Sequence, residues 1–354
     1  MNAEIFEDVQ ETAIDQPQRS GSQLKRFVLG LPSRPGTMFL TALLFILAVC
    51  FVDSFTSTRL VPTYIKHILV SCLIYSLLTL ALNFVSGYIG QTSLGHAAFF
   101  GIGAYITTLL TKYTPVNFWI SIPIAMAIAA LVSIPLAMVS QRVKGSFLVV
   151  ITYGFGEVLR YVVINTPSLG ASAGIPGVPA PLFFGTKFGR IGPSGKEAYI
   201  LLAFGIVALT AFFMHRIAKS RTNYAFSAIR EDEIAAVAMG INTKYYKMAA
   251  FMLSAVLSSV AGSLQATYAA FVSPEMLSST QSILILTMVI VGGARSIKGA
   301  ILGAFVMTIL PELFQMVKDV LGLPFDPWMI LYGLILITMM RLRPQGIWGK
   351  GAGQ

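Results

Sequence analysis

The chain consists mainly of long apolar runs separated by short polar segments. Hydrophobic residues make up 55% of its 354 residues and charged residues only 11%, whereas soluble domains carry about 25% charged residues. A helix needs roughly 20 apolar residues to cross the hydrocarbon core of a bilayer, and most runs are close to this length. The pattern therefore predicts an all-α integral membrane protein, a polytopic bundle of about ten transmembrane helices. The runs cover residues 36–52, 65–84, 94–110, 118–139, 147–163, 199–214, 248–268, 277–293, 299–316 and 328–340.

The distribution of basic residues indicates how such a bundle is oriented. With the amino terminus in the cytoplasm, seventeen of the 25 Lys and Arg residues fall in cytoplasmic loops, seven fall in outer loops, and Arg160 lies inside a run. Cytoplasmic loops of membrane proteins carry such an excess of positive charge. The sequence therefore predicts that both the amino and the carboxyl terminus are cytoplasmic. The net charge of +10 then follows from topology, and no nucleic-acid partner is expected.

Residues that could support metal binding or catalysis are scattered. His67, His96 and His215 are far apart, and Cys50 and Cys72 both lie within or beside apolar runs. This spacing predicts no metal site and no disulfide framework. The chain has no Gly-x-x-x-x-Gly-Lys-Ser/Thr phosphate-binding motif and no arrangement typical of a hydrolytic active site. We therefore expect no catalytic residues, no cofactor and no ATP hydrolysis by this chain itself.

Three polar segments divide the chain. Residues 1–34 form a predicted cytoplasmic tail without a cleavable signal peptide, and the predicted transmembrane domain covers residues 35–348. Within that domain, the outer loop 165–198 is too rich in Gly and Pro to form regular helix or a central strand. It is either a solvated connector or a surface that meets an outer partner or lines a substrate entrance. The third segment is a cytoplasmic loop at 215–247.

This cytoplasmic loop contains a charged, Ala-rich island at residues 228–242 that reads as a short amphipathic helix. The island places carboxylates in the predicted first turn, where the helix dipole favours negative charge, and ends at Gly240. A compact amphipathic helix between two spans suits docking into a groove of a soluble partner. The alternative is an ordinary amphipathic surface helix. The charged residues of the predicted first turn are Arg230, Glu231, Asp232 and Glu233.

A glycine-rich stretch around the third apolar run carries a cluster of polar residues. Close packing of helices explains the small pairs Ala97 with Gly101 and Gly299 with Gly303. It explains less well why polar side chains stand at the head of the run. Polar groups at membrane depth are tolerated where they line a cavity, so the cluster is our first candidate for a translocation path. Its members are Gln91, Thr92, Ser93 and His96.

Three charged side chains fall at depth inside predicted spans: Glu157, Arg160 and Glu312. A charge at the centre of a membrane helix costs roughly 2.5 to 3.5 kcal/mol, so such groups face protein or water. Glu157 and Arg160 are three residues apart and can pair on one helix face. Their role is either a structural ion pair or part of a path or gate. Glu312 lies near the end of its span and can reach the surface.

Three runs of the sequence together resemble the LivM-type permease of branched-chain amino acid ABC importers. They are Gly-Tyr-Ile-Gly-Gln-Thr-Ser-Leu-Gly-His-Ala-Ala-Phe-Phe-Gly-Ile-Gly-Ala-Tyr at 87–105, Ala-Ile-Arg-Glu-Asp-Glu-Ile-Ala-Ala-Val-Ala-Met-Gly-Ile-Asn at 228–242, and Val-Gly-Gly-Ala-Arg-Ser-Ile-Lys-Gly-Ala-Ile-Leu-Gly-Ala at 291–304. The resemblance covers residues 36–348. It implies a permease domain that carries branched-chain or other small amino acids across a bacterial or archaeal inner membrane by alternating access.

The resemblance also implies a role for the island and a set of partners. The island corresponds to the coupling segment that seats in a cleft of the ATPase, with Glu233, Ala235, Ala236 and Gly240 near the family pattern. Ile234 interrupts the family's Glu-Ala-Ala order, which leaves open which glutamate corresponds. The implied partners are a second permease subunit in a heterodimer, two ATP-binding subunits, a periplasmic or extracellular substrate-binding protein, and membrane lipid.

An amino acid in transit needs a donor for its carboxylate, an acceptor for its ammonium and an apolar slot. Helix-end amides near Thr92 and Ser93 are candidates for the donor, and Tyr153, Gly154 and Glu157 for the remainder. Permeases of this family also serve urea and short amides, which is an alternative substrate class. An ion-coupled secondary transporter is a further alternative, but it leaves the charged island without a purpose.

Overall fold

The computed structural model describes residues 62–114, 116–143, 145–183, 186–188 and 195–321, with short pieces at 333–334, 337–339, 341 and 345–348. The predicted tail at 1–34 and the first apolar run at 36–52 lie outside the described residues, as does most of the run at 328–340. The total of ten transmembrane helices and the location of the two termini therefore remain predictions.

Each of the eight apolar runs between residues 65 and 316 coincides with a helix. Six helices in the described part are long and apolar enough to cross a membrane, which confirms the prediction of a mostly helical, multi-span chain. Two further helices match runs that are shorter or more polar. The helices are α1 Thr63–Asn83, α2 His96–Tyr113, α3 Phe118–Val139, α4 Ser146–Ile164, α5 Glu197–Ala218, α6 Arg221–Glu231, α7 Glu233–Ala238, α8 Thr243–Ala269, α9 Ser279–Gly292 and α10 Ile297–Leu321.

The first described helix ends in an unusual way. α1 continues into a π-helix at Phe84–Ile89, and the chain then leaves the helix at Gly90 in the left-handed region, with φ 79°. Glycine adopts this conformation without the steric penalty of a side chain. Residues 90–95 form a non-helical break before α2 begins at His96. This break carries most of the polar cluster that the sequence singled out.

Small residues bring the central helices into close contact. A Cβ atom at Gly262 of α8 would overlap the Phe100 carbonyl oxygen of α2, and one at Gly103 would overlap Ser259. The same kind of packing joins α9 to α10, where a Cβ at Gly303 would overlap the backbone at Met288. The packing interpretation of the Gly299 and Gly303 pair is therefore confirmed.

Burial is distributed unevenly among the spanning helices. In α1 and its π-helical extension, 83% of the most apolar window is buried inside the protein, whereas in α4 the value is only 22%. α8 is also mostly buried, whereas the most apolar window of α3 is nearly as little buried as that of α4. The bundle therefore has a core around α1 and α8 and leaves one side of α3 and α4 available to lipid or to another protein.

The described part of the outer loop contains only short elements, as the sequence predicts. It has two 3-10 turns and the strands β1 Ile175–Pro176, β2 Leu182–Phe183 and β3 Thr186–Lys187, of which the last two form a hairpin. β1 pairs antiparallel with β4, Phe271–Val272, so that Ile175 lies opposite Val272. Ile175 and Val178 are buried against the bundle, and this portion of the loop is consequently packed rather than solvated.

Candidate functional site

The charged island is built from two helices rather than one. Asp232 has an extended backbone, with φ −152° and ψ 110°, and separates the end of α6 from the start of α7. Its Oδ1 accepts hydrogen bonds from the N–H groups of Ile234 and Ala235, at 2.8 and 3.2 Å. The prediction that Arg230 and Glu231 belong to the first turn of the helix is therefore wrong. Both end α6, because Asp232 favours an N-cap over a helical position.

The short helix α7 exposes apolar side chains. Ile234 is 76% exposed and Met239 is 83% exposed, while Ala236 is buried against the rest of the protein. Gly240 follows with φ 81°, which confirms it as the residue where the helix terminates. α7 thus presents an apolar surface on a rigid, capped turn, as expected of a segment that docks into a partner's groove.

An ion pair fixes α7 to the membrane helices. The Lys247 ammonium of α8 lies 2.5 Å from Glu233 Oε1, and the Lys247 side chain is only 2% exposed. A buried charge needs such a partner, since its desolvation is costly. Sequence reasoning counted Lys247 as a loop residue, and its spacing from Glu233 carried no signal of this contact. The pair therefore ties α7 to the start of α8.

Hydrogen bonds attach α6 to two other parts of the bundle. The Arg230 guanidinium donates to the Gly87 carbonyl oxygen at 2.7 Å. The Arg295 guanidinium, in the turn between α9 and α10, donates to Ser227 Oγ at 2.6 Å. Burial lowers the pKa of the Arg230 guanidinium, and the nearby Arg295 charge lowers that pKa further, while Glu231 opposes the effect. Arginine remains protonated under these influences.

A cavity of about 560 Å³ lies between the island and the break after α1. It brings Gln91 and Thr92, from the predicted path, together with the charged residues of the island. The cavity also borders the start of α4. The residues that line it are Ile89, Gly90, Gln91, Thr92, Gly145, Ser146, Leu148, Val149, Ile229, Arg230, Glu231, Asp232, Glu233, Ile234 and Lys247.

The other two members of the predicted polar cluster are buried in helix packing. The His96 ring nitrogens lie 2.7 Å from Ser254 Oγ and 3.1 Å from Ser93 Oγ, and Ser254 in turn donates to the Ala81 carbonyl. This network connects α1, α2 and α8. Ser93 and His96 therefore do not line the cavity, because their polar groups are used to hold three helices together.

The backbone amides at the start of α2 are also partly used within the protein. The Leu94 N–H donates to Thr152 Oγ1 at 2.9 Å, and the Ala97 N–H donates to Ser282 Oγ at 3.2 Å. These hydroxyls come from α4 and α9, so the helix end is tied to two neighbouring helices. A ligand carboxylate would have to compete with them for these donors.

A second charged cluster lies toward the other end of α4. Arg160 Nη1 is 3.3 Å from Glu157 Oε2, which confirms the predicted pair, and Arg160 Nη2 is 3.1 Å from the exposed Glu275. Glu157 Oε1 also accepts a hydrogen bond from the Ser279 N–H at 3.2 Å, at the first residue of α9. Tyr153 is exposed one turn earlier on α4. The structure brings Tyr153, Glu157 and Arg160 onto one face and places Gln91 and Thr92 elsewhere.

Two further polar contacts join helices near that end. The Tyr64 hydroxyl of α1 donates a hydrogen bond to Glu312 of α10. The Lys66 ammonium of α1 lies 2.6 Å from Glu197 Oε1 of α5, with side-chain exposures of 0% and 1%. Sequence reasoning missed this ion pair. The only signal in the sequence was that each residue stands at the edge of an apolar run. A charge at such a position is usually assigned to a loop, so the signal does not indicate a buried pair.

Among the residues that the structure describes, no group of three His, Cys, Asp or Glu side chains could hold a metal ion.

Comparison with known proteins gives a consistent result. Residues 64–340 match the family described as the permease component of the branched-chain amino acid transport system. The chain is 33% identical, over 295 residues, to the high-affinity branched-chain amino acid transport system permease protein LivM of Escherichia coli, covering 78% of this chain and 68% of that protein. It is 25% identical, over 289 residues, to the high-affinity branched-chain amino acid transport system permease protein BraD of Pseudomonas aeruginosa, covering 78% of this chain and 92% of that protein.

A probable branched-chain amino acid transport permease, LivH of Methanocaldococcus jannaschii, is 24% identical over 316 residues, or 80% of this chain and 92% of that protein. No solved structure matches. The match over most of the chain, the multi-span helical architecture and the identity to LivM together show that this chain belongs to the family of branched-chain amino acid transport permeases.

Proposed function

We propose that this chain is the transmembrane permease subunit of an ATP-driven importer that carries branched-chain or other small amino acids across the cell (inner) membrane of a bacterium or archaeon. The relatives' role in branched-chain amino acid transport supports the substrate class. The observation that carries the proposal is α7, a capped helical turn that exposes Ile234, is followed by the exposed Met239, and is fixed to α8 by the Glu233–Lys247 ion pair.

The proposed complex contains a second permease subunit, two ATP-binding subunits and a substrate-binding protein. The exposed apolar side chains of α7 support docking to an ATP-binding subunit, since amphipathic helices commonly lie in grooves of their partners. The low burial of α3 and α4 supports a second permease on that side. Closure of the two ATP-binding subunits would move α7 and rock the membrane helices between inward-facing and outward-facing states.

The face of α4 that carries Tyr153, Glu157 and Arg160 supports a path for a zwitterion. These charges lie within a helix that is little covered by its own chain, and a charge in lipid costs roughly 2.5 to 3.5 kcal/mol. Protein or water must therefore cover this face. Glu157 offers a carboxylate to an ammonium group, and Arg160 offers a guanidinium to a carboxylate. Gln91 and Thr92 would be met later, at the cavity beside the island.

The test is uptake by the complete complex in vesicles, with labelled leucine as the probe and Ile234→Glu as the variant. A carboxylate at a docking surface should be desolvated without a partner, so we expect loss of co-purification with the ATP-binding subunits and loss of uptake. Leu182→Glu is the matched control for co-purification and should retain the ATP-binding subunits, because Leu182 is also an exposed apolar residue but lies in the outer loop.

Two results would contradict the proposal. One is an Ile234→Glu complex that retains the ATP-binding subunits and normal uptake. The other is uptake that continues without the ATP-binding subunits but stops when an ionophore removes ion gradients, which is the behaviour of a secondary transporter. Competition by urea or acetamide, with none by leucine, would move the substrate to the short amides.

A further inference from the structure

We infer that Arg230 transmits the movement of the coupling segment to the break between α1 and α2. The inference rests on the proposed function, since only an ATP-driven transporter has a coupling movement to transmit. It assigns to Arg230 a positioning role inside the membrane subunit rather than a contact with the ATP-binding subunit. Four observations carry it, and all concern residues that meet at one end of α1.

The first observation is the contact itself. Arg230 Nη1 donates to the carbonyl oxygen of Gly87 at 2.7 Å, across 143 residues of sequence. Gly87 lies in the last turn of the π-helix, where backbone carbonyls lack partners within the helix and carry partial negative charge. A guanidinium is a strong donor for such a carbonyl. Arg230 therefore caps a long central span from the end of α6.

The second observation is steric. A Cβ atom at Gly90 would lie 2.7 Å from Cγ of Arg230, so only glycine leaves room for the arginine stem. Gly90 is also the residue at which the chain turns out of the π-helix. The Arg230 side chain is thus wedged against the point where the non-helical break begins. A shift of α6 would therefore displace the backbone at this point.

The third observation is a second attachment of α6 at the same end of α1. The Arg295 guanidinium donates to Ser227 Oγ, and the Arg295 N–H donates to Asn83 Oδ1 at 3.0 Å. Asn83 is the last residue of α1, so both arginines connect α6 to the same end of that helix. Arg295 has φ 68°, an uncommon conformation for a residue with a side chain. Such positions are typical of functional sites and are retained when surrounding contacts hold them.

The fourth observation is the location of the cavity. Gln91, Thr92 and residues 229–234 all line the same cavity. Arg230 lines the cavity and also reaches Gly87, so it connects the island to the helix end that precedes Gln91 and Thr92. The π-helix is a rare backbone form that is frequently found at functional sites, which suits a segment that must change shape. Movement of the island would consequently reposition Gln91 and Thr92.

The experiment uses the purified whole complex with Arg230→Ala, Arg230→Lys and the control Arg221→Ala. Arg221 is an exposed arginine at the other end of α6. The first readout is the amount of labelled leucine imported per ATP hydrolysed. The second is the rate at which a thiol reagent labels Thr92→Cys, with and without ATP, in a background lacking Cys50 and Cys72.

We expect Arg230→Ala to retain its ATP-binding subunits and to hydrolyse ATP, but to import at least about tenfold less leucine per ATP, a usual size for coupling between sites. The ATP-dependent change in labelling at Thr92→Cys should disappear as well. Arg230→Lys should recover most of both, because an ammonium can donate to the same carbonyl. Arg221→Ala should leave both readouts unchanged.

Three results would overturn the inference: unchanged import per ATP in Arg230→Ala, an equal loss in Arg221→Ala, or release of the ATP-binding subunits by Arg230→Ala, which would make Arg230 a docking residue. A labelling rate at Thr92→Cys that does not respond to ATP in the otherwise unaltered complex would also contradict it. If that rate responds to ATP through Arg230 but no branched-chain amino acid is imported, the proposed substrate fails and the inference stands.

Discussion

At the scale of single residues, the buried charges of this chain are its most demanding feature. Two ion pairs each join two helices: Lys66 with Glu197, and Lys247 with Glu233. In each pair at least one of the two side chains is almost fully buried. A buried ion pair adds little net stability, but removal of one partner leaves an uncompensated charge. The two pairs therefore work as positional constraints: one ties α1 to α5, and the other ties α7 to α8.

We expect Lys66→Met to destabilise the protein by about 3 to 5 kcal/mol, because the buried Glu197 carboxylate would lose the ammonium group that lies 2.6 Å from it. Thermal unfolding of the detergent-solubilised complex measures the effect. The double variant Lys66→Met with Glu197→Gln should recover much of the loss, since it removes both charges. Equal unfolding temperatures for the single and the double variant would show that the charge is not the cause.

Glu157 permits a test of the α4 face at the same scale. We expect Glu157→Gln to lower leucine uptake at least about tenfold, corresponding to about 1.4 kcal/mol, while assembly is retained, because the amide lacks the charge that an ammonium group requires. Glu275→Gln is the control, since Glu275 contacts the same arginine but is exposed. Unchanged uptake in Glu157→Gln would remove this residue from the path.

At the scale of elements, the crossings between helices depend on glycine residues. Gly103 and Gly262 allow α2 and α8 to approach until backbone meets backbone, and Gly292 and Gly299 do the same for α9 and α10. In lipid, the hydrophobic effect contributes little to the association of helices. Packing contacts and interhelical hydrogen bonds provide the attraction instead, and both require the helices to approach closely. The Thr107 hydroxyl bonds to Ser263 across the same α2–α8 contact at 2.7 Å.

The α2–α8 crossing gives a prediction with an internal control. Gly262→Ala should destabilise the protein by about 1 to 3 kcal/mol, because the added methyl group overlaps the Phe100 carbonyl and forces the helices apart. Gly205→Ala in α5 introduces the same change where nothing lies within 4 Å and should be neutral or slightly stabilising. Thermal unfolding compares the two. A similar loss for both variants would contradict the packing argument.

At the scale of the whole molecule, the described helices form a bundle with one well-covered core and one sparsely covered side. α1 and α8 are mostly buried, while α3 and α4 leave most of their apolar windows uncovered. The two charged regions lie toward opposite ends of α4: the cavity at its start and the Glu157–Arg160 pair in its second half. This separation fits a route that runs along α4 from one membrane surface to the other.

The orientation of the molecule is directly testable. We expect Tyr245→Cys to react with a membrane-impermeant thiol reagent only from the cytoplasmic side, and Leu182→Cys only from the outer side, because positive charge marks cytoplasmic loops. Both positions are exposed. Labelling of intact cells and of inverted vesicles, without Cys50 and Cys72, provides the measurement. The reverse pattern would invert the topology.

Sequence alone was sufficient for the membrane class, the positions of eight helices, the glycine packing of α9 and α10, and the Glu157–Arg160 pair. Each depends on neighbours in the chain: a run of apolar residues, a small residue every fourth position, or opposite charges one helical turn apart. The boundary at Asp232 was missed because its capping preference competed with a pattern that also suited a helix start.

Only the tertiary structure decided which polar residues share a site. It placed Gln91 and Thr92 at the same cavity as the island, and it buried Ser93 and His96 among α1, α2 and α8. It also revealed Lys66 with Glu197 and Arg230 with Gly87, contacts between residues more than 130 positions apart. Local periodicity determines what each segment becomes, whereas long-range contacts depend on how the helices cross, and no pattern within one segment encodes that geometry.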